Sequence, residues 1–325
     1  MVSHIPKAEL HCHIEGAASP DLVRHVGARH GIDLTGLFDA EGAFAWHDFT
    51  SFLNAYDRAA AVFRTPEDYR DLAFTYFSSL AAEGAIYGEV FISSDHAEAS
   101  GLSYRDYVEG LAQGITDAEK ATGIVGRMIA TGVRHYGPDR ILAAAETVAR
   151  EPHPFVTGFG VAGDERMHHP RDFADAFRIA GEAGLGLTVH AGEFGGPESV
   201  RDALDHLGVS RIGHGVRAIE DAGLVQRIVD ENIVLELCPG SNVALGLYPD
   251  VASHPYRRLR DAGVRVTVSS DDPPYFASSI GAEYGWLRTE LELSDAALIA
   301  ATRTSLEAAF VDEATRTRLL ASLPE

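Results

Sequence analysis

Pro6-Lys7-Ala8-Glu9-Leu10-His11-Cys12-His13-Ile14-Glu15-Gly16 is the stretch from which the rest of the chain is read. It has the form of an apolar-bounded strand, Lys7–Ile14, that ends in two imidazoles two residues apart. On a strand, residues i and i+2 face the same side, so both rings leave the backbone in one direction. Two neutral imidazoles side by side suit a divalent transition metal, zinc most commonly. His-x-His is a weak signal alone, and its weight depends on where further ligands fall.

Working outward, seven more β-rich runs follow: Ile86–Ser93, Ile124–Val133, Phe155–Ala162, Leu185–Ala191, Arg211–Gly215, Ile233–Cys238 and Val264–Ser270. Several are rich in Val, Ile and Leu, as strands buried on both faces of a parallel sheet are. Amphipathic stretches such as Pro66–Glu83, Tyr104–Thr122, Pro170–Ala183 and Pro197–Leu207 lie between them, with Gly or Pro at most junctions. Strict strand–helix alternation implies parallel strands joined by right-handed crossovers. Eight such units predict an α/β fold, a single (β/α)8 TIM-type barrel spanning residues 1–325. No Gly-x-Gly-x-x-Gly follows the first strand, which argues against a dinucleotide-binding sheet. Two segments exceed the repeat. Residues 19–68, rich in aromatics, predict a helical insertion near the barrel mouth; Ile280–Glu325 predicts extra C-terminal helices with Trp286 and Leu287 inward.

Composition narrows the function. With 27 Lys plus Arg against 48 acids, the formal charge is −21, so nucleic acid and anionic membranes are poor partners. Two cysteines, Cys12 and Cys238, make no disulfide framework. The opening residues resemble no secretory leader, and no apolar run is long enough to span a bilayer. A cytoplasmic enzyme is the expectation.

In such a barrel the active site lies at the C-terminal ends of the strands. Strand one ends in His11 and His13, strand five in His190 followed by Glu193, strand six in His214, and strand eight in Asp271-Asp272. The strand interiors are expected to stay apolar. These residues compose a mononuclear site: His11, His13 and His190 as nitrogen ligands, Asp271 as an oxygen ligand, and one open position for water. His214 could orient that water and take its proton, and Glu193 could donate a proton from the substrate side. The fourth run carries no lysine that could bridge two metals, so one ion is expected. His25, His47, His96, His135, His153 and His254 read as surface or capping residues, and His168-His169 as a loop pair that does not chelate.

Taken together, the motifs resemble the adenosine deaminase family of the amidohydrolase superfamily. They are the stretch from Pro6 to Gly16, Ala162-Gly163-Asp164-Glu165, His190-Ala191-Gly192-Glu193, Gly213-His214-Gly215, Cys238-Pro239-Gly240-Ser241-Asn242 and Ser270-Asp271-Asp272-Pro273, in family order along almost the whole chain. The resemblance implies zinc-dependent hydrolytic deamination of a 6-aminopurine, with one Zn2+ per chain. It implies Glu193, His214 and Asp271 as catalytic residues: Glu193 protonating ring N1, His214 and Asp271 positioning the water. It implies substrate contacts from His13, Glu15, Gly163 (backbone N–H to N3) and Asp272 (to N7).

The substrate is a small purine nucleoside or base, and the motifs divide over which. Adenosine-specific members usually carry aspartate at the position of Glu15, and Asp271-Asp272-Pro273-Pro274-Tyr275-Phe276 leans toward adenine. Ala162-Gly163-Asp164-Glu165 is the nucleoside type. The balance falls on adenosine or 2′-deoxyadenosine, with adenine or a substituted aminopurine as the alternative. A metal-dependent ester or amide hydrolase and a non-catalytic binding barrel are the remaining readings; Glu193 argues against the first, and the complete set of ligands and acids against the second. Oligomeric state is not legible in these residues.

Overall fold

A computed structural model describes residues 2–324. Met1 and Glu325, the ends of the expected 1–325 domain, lie outside the described residues. Eight strands, β1 (Lys7–Glu9), β2 (Ala85–Ile92), β3 (Val125–Val133), β4 (Val156–Ala162), β5 (Gly186–Ala191), β6 (Arg211–His214), β7 (Val234–Leu237) and β8 (Arg265–Val268), form one sheet in sequential order. Every neighbouring pair is parallel. The ring closes at the first and last strands, where Asp271 N–H donates to His11 O and His13 N–H donates to Asp271 O, both at 3.0 Å. This is the (β/α)8 barrel expected from the alternation.

The first strand differs from its expected span. Regular pairing stops at Glu9 and resumes only as isolated bridges at Cys12 and His13. A side chain causes the break. The buried Glu9 carboxylate accepts from His11 N–H at 3.2 Å and from Ser270 N–H and Oγ–H at 3.0 and 2.5 Å. It thus satisfies backbone donors that a ladder would otherwise pair. Burial pushes the Glu9 carboxyl up to about 7.

The barrel core is not purely apolar, contrary to the expectation for the strand interiors. Arg211, fully buried at the start of β6, forms ion pairs with Glu89 at 2.7 Å and Glu236 at 2.6 Å. Phe310 lies over its guanidinium at 3.7 Å and closes the bottom of the barrel. Gly158 and Gly186 make room for that ring: a Cβ at either would come within 2.7 or 2.2 Å of it. Charged groups persist in a core only when paired in this way. Leu287 is buried as expected, and Trp286 is only partly so.

Between β1 and β2 run α1 (Pro20–His30), α2 (Phe49–Ala60) and α3 (Pro66–Ala82). Ser19, Asp48 and Thr65 cap their N-termini through side-chain oxygens. One carboxylate ties α1 to α3. Asp68 is fully buried and accepts from the N–H groups of Arg64 and Thr65 at 3.0 Å, from His30 Nε2 at 2.7 Å and from Arg29 at 2.7 Å. Burial opposes its charge, but the bonds from Arg64, His30 and Thr65 outweigh this and hold its pKa below the usual carboxylate value. No described helix is long and apolar enough to cross a membrane.

Asp68→Asn should destabilise the protein by about 1–3 kcal/mol near pH 7, because donors aimed at a carboxylate then meet an amide. A carboxyl with a lowered folded pKa stabilises above its unfolded value of ~3.9 and loses that contribution as pH falls through the folded value. The urea-midpoint gap between wild type and variant should therefore narrow below about pH 4. A gap unchanged down to pH 3 contradicts a role for the charge.

Candidate active site

The strand ends bring the predicted residues to one place. His13 Nε2 lies 3.2 Å from His190 Nε2 and 3.4 Å from Asp271 Oδ1, while His11 Nε2 lies 3.7 Å from the same oxygen. Ligand atoms on a tetrahedral ion with ~2.0–2.1 Å bonds sit about 3.3 Å apart. His11 Nε2 is buried and has no hydrogen-bond partner, which is the signature of a nitrogen awaiting a cation. His11, His190, His214 and Asp271 form one group able to hold a metal, and His13 with Asp271 and Asp272 forms another. The donor set fits a divalent transition ion.

Each ligand candidate is oriented from behind. His11 Nδ1 bonds Glu236 at 2.7 Å, His190 Nδ1 bonds Val161 O at 3.1 Å, and Asp271 Oδ2 accepts from Ser241 Oγ at 2.6 Å. Such partners set which imidazole nitrogen is free to ligate. Arg134 pins the end of β5 by donating to His190 O at 2.5 Å. His214 and Asp271 both adopt left-handed backbone, φ 59° and 63°, which is uncommon for non-glycine residues and concentrates at functional sites.

Glu193 sits beside this cluster, 5% exposed. Burial, then the charges of Asp271 and Glu165, push its carboxyl well above the usual value, which favours the protonated form. Its Oε1 faces Asn242 Nδ2 at 3.4 Å and His214 Nε2 at 3.8 Å, which leaves Oε2 to carry the proton. Asn242 is itself oriented. Tyr256 N–H donates to His254 Nδ1 at 3.1 Å, so the His254 proton is on Nε2 and reaches Asn242 Oδ1 at 3.1 Å. Burial lowers His214 to about 3.

Burial and the neighbouring Asp271 also push the Asp272 carboxyl well above its usual value; its Oδ1 is buried without a partner. Gly16 leaves it that space, since a Cβ there would lie 1.7 Å from Oδ1. For Asp271, burial works against ionisation, but the His13 hydrogen bond and the His214, His11 and His13 rings hold it far below the normal range. Gly163 lines the same pocket with a left-handed φ of 99°. Glu15 is buried and already engaged: Tyr107 Oη donates to Oε1 at 2.6 Å and Tyr56 Oη approaches Oε2 at 3.4 Å.

The other histidines divide. His25 and His47 are exposed, as expected. His96 and His135 instead line the pocket, and His254 is buried and orients Asn242. They were missed because a lone histidine on a helix or loop carries no periodic signal; only tertiary contact reveals its role. Glu236 and Glu9 were missed because a single acid within an apolar run reads as an interruption of the pattern.

Gly213 is the close-approach residue of the cluster. A Cβ there would lie 2.7 Å from His11 Cε1 and 3.3 Å from His190 Nδ1. Gly213→Ala should displace both rings and weaken metal binding by about tenfold or more in a chelator competition. Unchanged affinity would show that those rings do not hold the ion.

Comparison with known proteins agrees with this geometry. The family model for adenosine deaminase matches residues 6–325. An adenine deaminase from Chelativorans sp. (strain BNC1) is 58% identical over 317 residues, covering 98% of this chain and 97% of that protein. The crystal structure of an adenine deaminase from Arthrobacter aurescens aligns with a TM-score of 0.90 at 31% identity, covering 98% and 97% of the two chains. A Burkholderia ambifaria amidohydrolase with bound Zn aligns at 0.89 and 26% identity, covering 98% and 90%. These relatives move the balance away from the nucleoside reading and toward its alternative. The chain belongs to the adenosine deaminase family and is, as its motifs led us to expect, a hydrolase of the purine C6 amino group.

Proposed function

We propose that the protein deaminates adenine to hypoxanthine and ammonia, with one zinc ion held by His11, His13, His190 and Asp271. The observation that carries the choice of adenine is Glu15. The family resemblance assigns the acid at this position to the ribose 5′-hydroxyl, yet both its oxygens face tyrosine hydroxyls. Glu15 is thus tied to the pocket wall, through Tyr107 above all, rather than presented free to a sugar. The names of the Chelativorans and Arthrobacter relatives support the same reading.

When bound, the ion supplies a water acidified toward ~pH 7. The chain's own groups do the rest. Glu193, neutral and buried, donates its proton to ring N1 as the water oxygen adds to C6, so the ring never carries the full negative charge of addition. His214, neutral, and Asp271, ionised, position that water. Asp272, in its protonated form, donates to N7, the acceptor of the 9H tautomer. Gly163 N–H meets N3, and His13 borders the ring. One proton of the water passes by way of His214 to the leaving amine and the other, from the new C6 hydroxyl, returns to Glu193; ammonia departs and the product carries N1–H and C6=O. Residues 19–68 belong to this same single barrel domain and roof the pocket through Phe49, Phe52, Leu53 and Tyr56, which line it.

A panel of adenine, adenosine and 2′-deoxyadenosine followed by ammonia release tests the substrate. Adenine should exceed both nucleosides in kcat/KM by about 100-fold, the penalty for a site whose polar groups match only one ligand. Equal or reversed preference would return the assignment to the nucleoside. Glu193→Gln should lower kcat by about 10²–10⁴-fold with bound metal retained. Turnover near the wild-type rate would remove the acid from the mechanism.

A further inference from the structure

Glu165 makes the densest set of hydrogen bonds to a single side chain around the pocket. Its Oε1 accepts from Gly192 N–H and Ser199 Oγ–H, both at 2.6 Å. Its Oε2 accepts from the N–H groups of Glu193, Phe194 and Gly195 at 2.9, 2.8 and 2.8 Å. Four consecutive backbone donors and one hydroxyl thus converge on a carboxylate that is only 7% exposed. A carboxylate has about four lone-pair sites, so its accepting capacity is saturated. Consecutive N–H groups turned to one point make a backbone nest for an anion, and here the anion is internal.

The turn is built for this close approach. Gly192 has a left-handed φ of 74°, and a Cβ on it would meet Val200 Cγ2 at 2.4 Å. At Gly195 a Cβ would lie 2.6 Å from Glu165 Oε1. The carbonyls on the other side of the turn are held as well: Arg217 N–H donates to Gly192 O at 3.0 Å and its guanidinium to Phe194 O at 2.7 Å. Between those clamped carbonyls stands Glu193.

We propose that Glu165 is the positioning residue for Glu193, fixing the backbone from which the acid reaches the substrate. The inference rests on the reading of Glu193 as proton donor. Glu165 touches neither substrate nor metal in this scheme; it acts through the turn. Its sequence partner Asp164 faces away, in a bidentate pair with Arg166 at 2.7 Å through both oxygens.

Glu165→Gln preserves shape but replaces one oxygen with an NH2 group. That group must oppose either three N–H donors or the Gly192 N–H, and no rotation of the amide relieves both ends. A double-mutant cycle with Glu193→Gln reads whether the effect passes through the acid. Glu165→Gln alone should lower kcat by about 100-fold, a typical loss for misplaced proton transfer. In the Glu193→Gln background the same change should cost less than about threefold, because the group it positions is already disabled. Hydrogen exchange should show the amides of residues 192–195 protected in wild type and released in Glu165→Gln, with metal content unchanged.

Additive losses, or a Glu165→Gln enzyme within about threefold of wild type, would overturn the proposal. A Glu193→Gln enzyme of wild-type activity would instead overturn the underlying reading, and the two failures are distinct. If Glu165→Gln does not fold, Gly195→Ala perturbs the same hold from the opposite side and enters the same cycle.

Discussion

Closure of the barrel and convergence of the ligand candidates are one event. Asp271 donates its backbone N–H to His11 O and accepts His13 N–H on its own carbonyl, so the residue that shuts the ring also offers its carboxylate beside both imidazoles. Its left-handed φ of 63° turns the side chain inward at the point where β8 ends. A strained conformation of this kind persists only where surrounding structure over-determines it. Behind it, Glu236 holds the ring of the first ligand candidate by a 2.7 Å bond to His11 Nδ1, and is itself held in a buried ion-pair chain with Arg211 and Glu89 at 2.6 and 2.7 Å. Stability and site geometry therefore draw on the same contacts.

Much of this was legible in the sequence, and the reason is periodicity. A buried parallel strand and the helix that covers it leave short apolar runs and amphipathic stretches, and in a barrel their ends become the active face. Tyr104–Thr122 folds as a helix over that same span. Strand ends that carried His, Asp or Glu were accordingly found. What escaped was whatever depends on groups far apart in sequence. Glu9 interrupts its own strand by bonding Ser270, 261 residues away, and His254 matters only because Asn242 passes its orientation to Glu193.

The motifs that divide over the substrate look different once folded. Ala162-Gly163-Asp164-Glu165 favoured a nucleoside as a string of residue types. In the folded chain Asp164 binds Arg166, and Glu165 binds the turn after β5. Both carboxylates are engaged within the chain itself. Glu15 shows the converse: its buried carboxylate, which resemblance directs at ribose, is enclosed by Tyr107 and Tyr56. A motif identifies which residues are present, while the hydrogen bonds they have already made decide what they can still bind.

The pocket's acids divide by environment, and the division follows the chemistry of the ring. Glu193, Asp271 and Asp272 cannot all ionise side by side in a buried site. The imidazoles around Asp271 favour its charged form, while burial beside it pushes Glu193 and Asp272 toward their protonated forms. The one ionised carboxylate faces the position proposed for a cation. The two acids whose protonated form is favoured would, in the proposed function, face the N1 and N7 acceptors of a purine. Carboxyls pushed to opposite protonation states mark separate roles in one site. A single backbone junction, Asp271 followed by Asp272, supplies one of each, and the left-handed φ of 63° at Asp271 lets both side chains line the same pocket.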